Sequence, residues 1–301
     1  MSLMISLAQY PIQFHADKKS FLLNLENWFQ QAKQPGSEIL VFPEYGSMDL
    51  VSLSPKESQL NLSLQLEQLQ TLHSFFLDSF IDLAKKYQVY VVAPSFPLQV
   101  NEKYFNRAYF ISPSGQYDFQ DKIHMTRFEN EDWGISSSET PLKVFDTRLG
   151  KIGIQICFDI EFPWATALLA QAGVDLVLVP SCTEGLAGMH RVHTGAKARA
   201  LENQIYTAVS HTVGDALWSQ AVDKNTGLAA IFSTSDRYFS DDGIVATGKL
   251  NEAIWLHSEI DVDKIKQVRT DGQVFNFKET ATYPWKPTNQ KNLVITTIRL
   301  K

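Results

Sequence analysis

The sequence predicts an α/β fold, and three observations carry that expectation. Apolar runs of period two alternate along the chain with longer runs of helical period. Turn signals at Ser114-Gly115 and Leu149-Gly150 join some neighbouring strands into hairpins. A chain of 301 residues with 44% hydrophobic content is long and apolar enough for a large buried core. The pattern reads as two strand–helix–strand halves with hairpins. No Gly-x-Gly-x-x-Gly follows a strand, which argues against a dinucleotide-binding unit.

The elements follow in order. Residues 3–10 read as a first strand. Asp17 caps a helix that runs to Lys33 and stops at Pro35-Gly36. A strand over 38–43 precedes a loop over 45–57. A long helix is predicted over 56–87 from Leu66, Leu69, Leu72, Phe76, Phe80 and Leu83, although Leu60, Leu62 and Leu64 at its start alternate. Strands follow over 88–94, 104–112 and 116–121, the last two as a hairpin. A strand near 142–147 turns into Lys151–Cys157, where Ile152, Ile154 and Ile156 share one face. Pro163 opens a helix over 163–171 and Gly173 ends it. Then come strand 175–180, helix 187–203, strand 205–210, strands near 228–233, 244–249 and 253–260, and a short helix capped by Asp261.

Composition excludes several classes of function. The formal net charge of −6 is spread without blocks, so neither nucleic acid nor an anionic membrane is the expected partner. Only two cysteines are present, Cys157 and Cys182, which fits a reducing cytoplasm rather than a disulfide scaffold. No apolar run approaches the roughly 20 residues that span a bilayer. The start, Met1-Ser-Leu-Met-Ile-Ser, lacks the basic residues of a signal peptide.

Three segments carry chemistry. Cys157 lies at a sharp strand-to-helix turn, a geometry that lifts a nucleophile out of a sheet. Ile39-Leu-Val-Phe-Pro-Glu44-Tyr-Gly46 is an apolar strand ending in a carboxylate. Asp121-Lys122-Ile-His124-Met-Thr-Arg127-Phe-Glu129 carries an ammonium and a second carboxylate. Together these segments resemble the nitrilase superfamily of carbon–nitrogen hydrolases, in which the catalytic set is Glu, Lys and Cys in that chain order. Glu44, Lys122 and Cys157 match in order, in approximate spacing and in neighbouring residues. Glu129 falls seven positions after the lysine, where the family has a second glutamate. After Phe162-Pro163, where many members carry an acid, this chain departs with Trp164-Ala165, and the segment Met125–Gly134 differs from well-known nitrilases and ω-amidases and resembles a branch of uncharacterised predicted amidohydrolases.

The resemblance implies a four-layer α-β-β-α sandwich. It implies a single carbon–nitrogen hydrolase domain over 1–301, with 271–301 as a C-terminal tail that reaches a neighbouring subunit of a homodimer or larger homo-oligomer. It also implies a hydrolase of non-peptide carbon–nitrogen bonds, an amidase on a small-molecule amide, needing neither cofactor nor metal. A nitrilase or N-carbamoyl hydrolase with the same triad, an acyltransferase and a non-enzymatic binding protein are the alternatives.

The residue types suit that chemistry. A free thiol has a pKa of about 8.5 and is mostly protonated at neutral pH, so attack needs a base. Glu44 is the candidate, provided burial raises it from its ordinary value of about 4.3. The Lys122 ammonium and the backbone N–H of Phe158 are the expected oxyanion donors, and Lys122 also lowers the thiol. The resemblance implies that Glu129 helps position lysine, base and substrate, with Glu131 as the alternative. Asp159 and Glu161 are expected to point away from the thiol or to be paired. Tyr45, Trp133, Glu184 and Arg191 are candidate substrate contacts, with Arg191 set to meet a substrate carboxylate. His190 and His193, three apart on a helix, lack a third ligand at matching spacing, so no metal site is assigned. Arg199 and Glu202 are expected to pair with each other, and Cys182 to be a structural thiol near Cys157.

Overall fold

The computed structural model describes residues 2–282. In chain order the regular elements begin with β1 (Ser2–Pro11), α1 (Lys18–Lys33), β2 (Ile39–Val41), α2 (Lys56–Gln59) and α3 (Leu62–Tyr87). A second group comprises β3 (Tyr90–Val92), β4 (Phe96–Val100), β5 (Lys103–Ile111), β6 (Tyr117–Asp121), β7 (Phe145–Thr147) and β8 (Gly150–Ile154). Then follow α4 (Pro163–Gln171), β9 (Leu176–Ser181), α5 (Leu186–Asn203), β10 (Tyr206–Asp215), β11 (Lys224–Asn225) and β12 (Ala230–Phe232). The described chain ends with β13 (Ile244–Thr247), β14 (Ile254–Asp261), α6 (Val262–Asp271) and α7 (Asn276–Thr282). Among the described residues no helix is long and apolar enough to cross a membrane.

The strands form two halves joined through the ends of two interior strands. In the first, β14 lies antiparallel to β1, β1 parallel to β2, β2 parallel to β3, and β5 carries the β4 and β6 hairpin partners. In the second, β7, β8, β9, β10, β12 and β13 follow one another. The halves meet where the end of β1 pairs with the end of β10, Gln9 opposite His211.

Alternation sorts the side chains into layers. Leu3, Ile5 and Leu7 of β1, Ile39 and Val41 of β2 and Ala108 and Phe110 of β5 share one buried cluster with Ile152, Ile154, Leu176 and Leu178 from the other half. Ala8, Tyr10, Leu40, Phe42, Val91 and Tyr109 point the opposite way and pack on α1 and α3. On the far side of the second half, Gly153 faces Leu169 of α4, and Thr207 donates to the carbonyl of Ala196 in α5. Helix, sheet, sheet, helix is therefore the layer order, the four-layer sandwich expected from the sequence.

Several element boundaries differ from the expectation for identifiable reasons. The helix predicted over 56–87 breaks, because Asn61 is extended (φ −131°) and caps α3 by accepting from Leu64 N–H at 3.0 Å. The alternating leucines at its start marked that break. Residues 46–53, read as loop, form a buried 3-10 helix. The strand β4 is missing from the sequence reading because Pro97 disguises it. The residue is tolerated there because β4 pairs with β5 alone. The first part of the expected tail folds back on its own chain as α7. Phe277 N–H donates to Gln204 at 3.1 Å, and the Arg269 guanidinium stands 4.1 Å from the Phe277 ring. Residues 283–301, including Trp285, Pro284 and Pro287, lie outside the described residues.

Two pieces of packing hold the site's elements in place. The Arg107 guanidinium grips Asp121 through two hydrogen bonds of 2.7 and 2.9 Å and lies 3.4 Å from the Phe119 ring, which locks β5 to β6 just before Lys122. α5 presses on the turn that carries Cys157. A Cβ added at Gly195 would stand 2.9 Å from the Ile160 carbonyl oxygen and 3.3 Å from Glu161 Cα. Helix propensity alone favours Gly195→Ala by about 1 kcal/mol. The clash is with main chain that cannot swing aside, and such overpacking costs about 1–3 kcal/mol. Gly195→Ala is therefore expected to lower the urea midpoint; an unchanged or higher midpoint would show that α5 is not seated this tightly.

Candidate active site

Glu44, Lys122, Glu129 and Cys157 line one cavity of about 700 Å³. Each arrives from a chain reversal. Glu44 follows β2, and Tyr45 behind it takes a left-handed conformation (φ 54°). Lys122 follows β6, with its N–H donated to the Asn106 carbonyl at 2.9 Å, one step beyond the β5–β6 register. Cys157 follows β8 and is itself left-handed (φ 49°), opening a 3-10 turn over Cys157–Glu161. Left-handed backbone at a non-glycine residue costs on the order of 1–3 kcal/mol and persists where the surrounding structure holds it. Glu129 and Trp133 lie one π-turn apart on Phe128–Trp133, both buried.

The centre is a buried ion cluster. Lys122 and Glu44 are each 1% exposed and Glu129 is 3% exposed. Lys122 Nζ donates to Glu44 Oε1 at 2.7 Å and to Glu129 Oε2 at 2.6 Å. Glu129 also accepts from Tyr45 Oη at 2.7 Å, from Thr126 N–H at 2.9 Å and from Thr126 Oγ1 at 2.8 Å. Glu44 Oε2 accepts from the Cys182 N–H at 2.9 Å, a contact that ties the carboxylate to the end of β9 in the other half. The Cys157 thiol donates to the Cys182 carbonyl at 3.5 Å, the same residue whose N–H binds Glu44, and it feels the Glu44 charge.

These surroundings set the protonation states. Burial raises the Glu44 carboxyl to about 7, against the pull of the Lys122 charge and with the support of Glu129. Burial also acts on Glu129, but the Lys122 charge and the hydrogen bonds from Lys122, Tyr45 and Thr126 outweigh it and hold that carboxylate below its ordinary value. For Lys122, burial is outweighed by Glu129 and Glu44, which keep the ammonium well above its usual range. The Cys157 thiol is pushed well above its ordinary value by burial and then by the Glu44 charge. Lys122 lowers it, as expected from the sequence, but the other two effects win. The resting site thus holds a thiol beside a carboxyl poised near neutrality, with a fixed cation and a fixed anion behind them.

The chain and its fold resemble known proteins. A sequence model described as carbon-nitrogen hydrolase matches residues 4–269. The chain belongs to the carbon–nitrogen hydrolase family. It is 34% identical over 275 residues to the probable hydrolase YhcX of Bacillus subtilis (strain 168), covering 91% of this chain but 53% of that protein, so the chain spans about half the length of this relative. It is 25% identical to the ω-amidase NIT2 of Mus musculus over 92% of this chain and 96% of that one. Among solved structures, a carbon–nitrogen hydrolase from Helicobacter pylori G27 matches with a TM-score of 0.73 at 18% identity, over 89% of this chain and 92% of the other.

In this carbon–nitrogen hydrolase the remaining candidates are placed as follows. Phe158, Tyr45, Trp133, Glu184 and Arg191 all line the cavity. Tyr45 and Trp133 form one wall with ring centroids 4.7 Å apart, but the Tyr45 hydroxyl is committed to Glu129. Glu184 is exposed at the rim, and Arg191 stands 3.4 Å from Glu161, which pairs that acid as expected. Asp159 turns away from the sulfur. It accepts from His124 N–H at 2.8 Å, His124 Nδ1 at 3.0 Å and Ile123 N–H at 3.2 Å, bridging the lysine loop to the cysteine turn. Arg199 meets Glu202 at 2.8 Å, and it also donates to the Ile160 and Glu161 carbonyls. Cys182 adjoins Cys157 through its main chain.

Sequence reasoning missed Asn106, Thr126 and the Cys182 peptide. Asn106 left a trace, since it interrupts the otherwise apolar row Asn106, Ala108, Phe110 on one face of β5. Losing the cation at the centre would strand two buried carboxylates. Lys122→Met is therefore expected to lose about 3–5 kcal/mol in urea unfolding at pH 8. The loss should shrink as pH falls and the stranded acids take up protons. A loss that is small at every pH would contradict the buried cluster.

Proposed function

We propose that this chain is an amidase that cleaves the C–N bond of a small-molecule amide through a thioester on Cys157. One observation carries the reading: Lys122 Nζ binds Glu44 at 2.7 Å inside a cavity whose wall also includes Cys157. In the proposed reaction Glu44 takes the thiol proton as the sulfur attacks the carbonyl carbon. The carbonyl π electrons move to the oxygen. Lys122 is suited to receive that oxyanion, because an ammonium has three donors and the two glutamates occupy two of them. The Phe158 N–H, next in chain after the nucleophile, is the second proposed donor.

Collapse of the intermediate breaks the C–N bond, and Glu44 passes its proton to the departing nitrogen. Water then adds to the thioester while Glu44 takes a proton from it. Breaking the C–S bond releases the carboxylic acid, and Glu44 returns the proton to sulfur. A base that both accepts and returns a proton works best near the ambient pH, which is where burial places Glu44, at about 7. Glu129 stays ionised in this scheme and anchors the lysine. Tyr45 and Trp133 supply the apolar wall. Arg191, with Glu184 beside it on the rim, is proposed to meet a charged end of the substrate.

The likeness to an ω-amidase over most of both chains supports amide hydrolysis as the reaction. A panel of small primary amides, matching nitriles and carbamoyl compounds, assayed for ammonia, separates this reading from its rivals. Cys157→Ala and Cys157→Ser are expected to lose all turnover. Cys182→Ser should keep most of it, because residue 182 touches Glu44 and Cys157 through main-chain atoms. Equal loss from substitutions at both cysteines, or ammonia from nitriles alone, would sink the amidase reading. In the wild type, kcat/KM should fall as pH drops through about 7, because protonated Glu44 cannot act as base. A flat profile from pH 5 to 8 would remove Glu44 from that role.

A further inference from the structure

Asn106 lies on β5 and is fully buried, yet it is absent from the cavity wall. Its carbonyl fixes the register of Lys122. Its side-chain Nδ2 donates to Glu44 Oε1 at 2.8 Å and to Glu129 Oε1 at 3.3 Å. The orientation of the amide follows from its neighbours, since an amide oxygen turned that way would face two acids. Oδ1 is left buried with no hydrogen-bond partner. An unpartnered buried acceptor costs about 1–3 kcal/mol, a cost that a leucine of similar size would avoid. The contacts of this side chain with the two acids are what the asparagine provides in return.

Counting lone pairs shows what those contacts do. Each carboxylate oxygen offers two acceptor sites. Both sites on Glu44 Oε1 are filled, by Lys122 Nζ and Asn106 Nδ2, and neither group accepts a proton. Glu44 Oε2 receives one donor, the Cys182 N–H, and keeps one site open. The thiol already points at the carbonyl of that same residue. Glu129 is saturated: Oε1 accepts from Tyr45 and Asn106, and Oε2 from Lys122 and from both the N–H and the hydroxyl of Thr126. We propose that Asn106 is a positioning residue whose amide blocks Oε1 of both glutamates, so that the proton leaving Cys157 goes to Oε2 of Glu44 and nowhere else. A second cation in its place would hold Glu44 too acidic to take a proton. An apolar side chain would leave Oε1 open to protonation.

This inference rests on the proposed role of Glu44 as base, and the test separates the two. Iodoacetamide alkylation of Cys157, mapped by mass spectrometry, is followed against pH in the wild type and in Asn106→Leu, Asn106→Asp and Asn106→Ser, with circular dichroism reporting the folded state. No substrate is needed. The wild-type rate is expected to rise with a midpoint near pH 7, as Glu44 ionises. Asn106→Leu removes a neutral donor to the carboxylate and should move the midpoint up by about one pH unit, the size of one charge-assisted hydrogen bond. Asn106→Asp adds a third acid and should move it further up. Asn106→Ser is smaller and polar, and it gives the same reading should the leucine variant fail to fold; its midpoint is expected between wild type and Asn106→Leu. A purely structural asparagine would reduce the folded fraction and leave the midpoint in place. Folded variants with the wild-type midpoint overturn the role of Asn106 alone. A wild type with no rise near pH 7 overturns Glu44 as base, and the role of Asn106 with it.

Discussion

The arrangement depends on one buried cation. Lys122 sits between Glu44 and Glu129 with almost no contact with solvent, and each member of the trio is tolerable only because the others are present. The asymmetry within the trio matters as much as its charge balance. Glu129 collects donors from Tyr45, Asn106, Thr126 and Lys122 and is held as an anion. Glu44 is as deeply buried but has fewer fixed donors, so with the like charge of the ionised Glu129 nearby it is the one that drifts toward neutrality. Two acids of the same chemical type thereby reach different protonation states a few ångströms apart, by the same physics that separates paired acids in other enzymes.

The fold places this trio by bringing strand ends together across two sheets. Glu44 and Lys122 come from one half of the sandwich, while Cys157 and the Cys182 peptide come from the other. Hydrogen bonds cross the seam: Cys182 N–H reaches Glu44, and Ser210 Oγ donates to the Phe42 carbonyl at 3.1 Å. Asp159 adds a further tie by holding the loop after Lys122 against the turn after Cys157. The left-handed backbone at Tyr45 and at Cys157 marks where the chain is bent hardest to present its side chains.

Much of this was legible in the chain because strand ends leave a clear sign. An apolar alternation that stops abruptly at a charge or a thiol, as at Glu44 and Cys157, is hard to mistake. Lys122 was found only in company, since a lone lysine after a strand is ordinarily solvated. Other features were hidden for physical reasons. Pro97 masked β4, whereas the alternation of Leu60, Leu62 and Leu64 hinted at the break before α3 without placing it. The π-turn over Phe128–Trp133 lies in the polar run Glu129-Asn-Glu-Asp132, which has no apolar periodicity to announce it. The thiol's upward shift could not be read at all, because it depends on how deeply burial outweighs the lysine, a quantity that belongs to the packed structure.

The cavity draws its machinery and its walls from different stretches of chain. Bonds to the two glutamates and the lysine come from Asn106 on β5, from Tyr45 and Thr126 on the turns after β2 and β6, and from the Cys182 peptide. The outer lining comes from the start of α5 and from residues 220–224 ahead of and into β11. No side chain in that lining hydrogen-bonds Glu44, Lys122 or Glu129 among the described residues. Exchanging residues in those two segments would therefore reshape the mouth of the cavity while leaving every bond of the ion cluster in place, so contour and charge balance are separable properties of this scaffold.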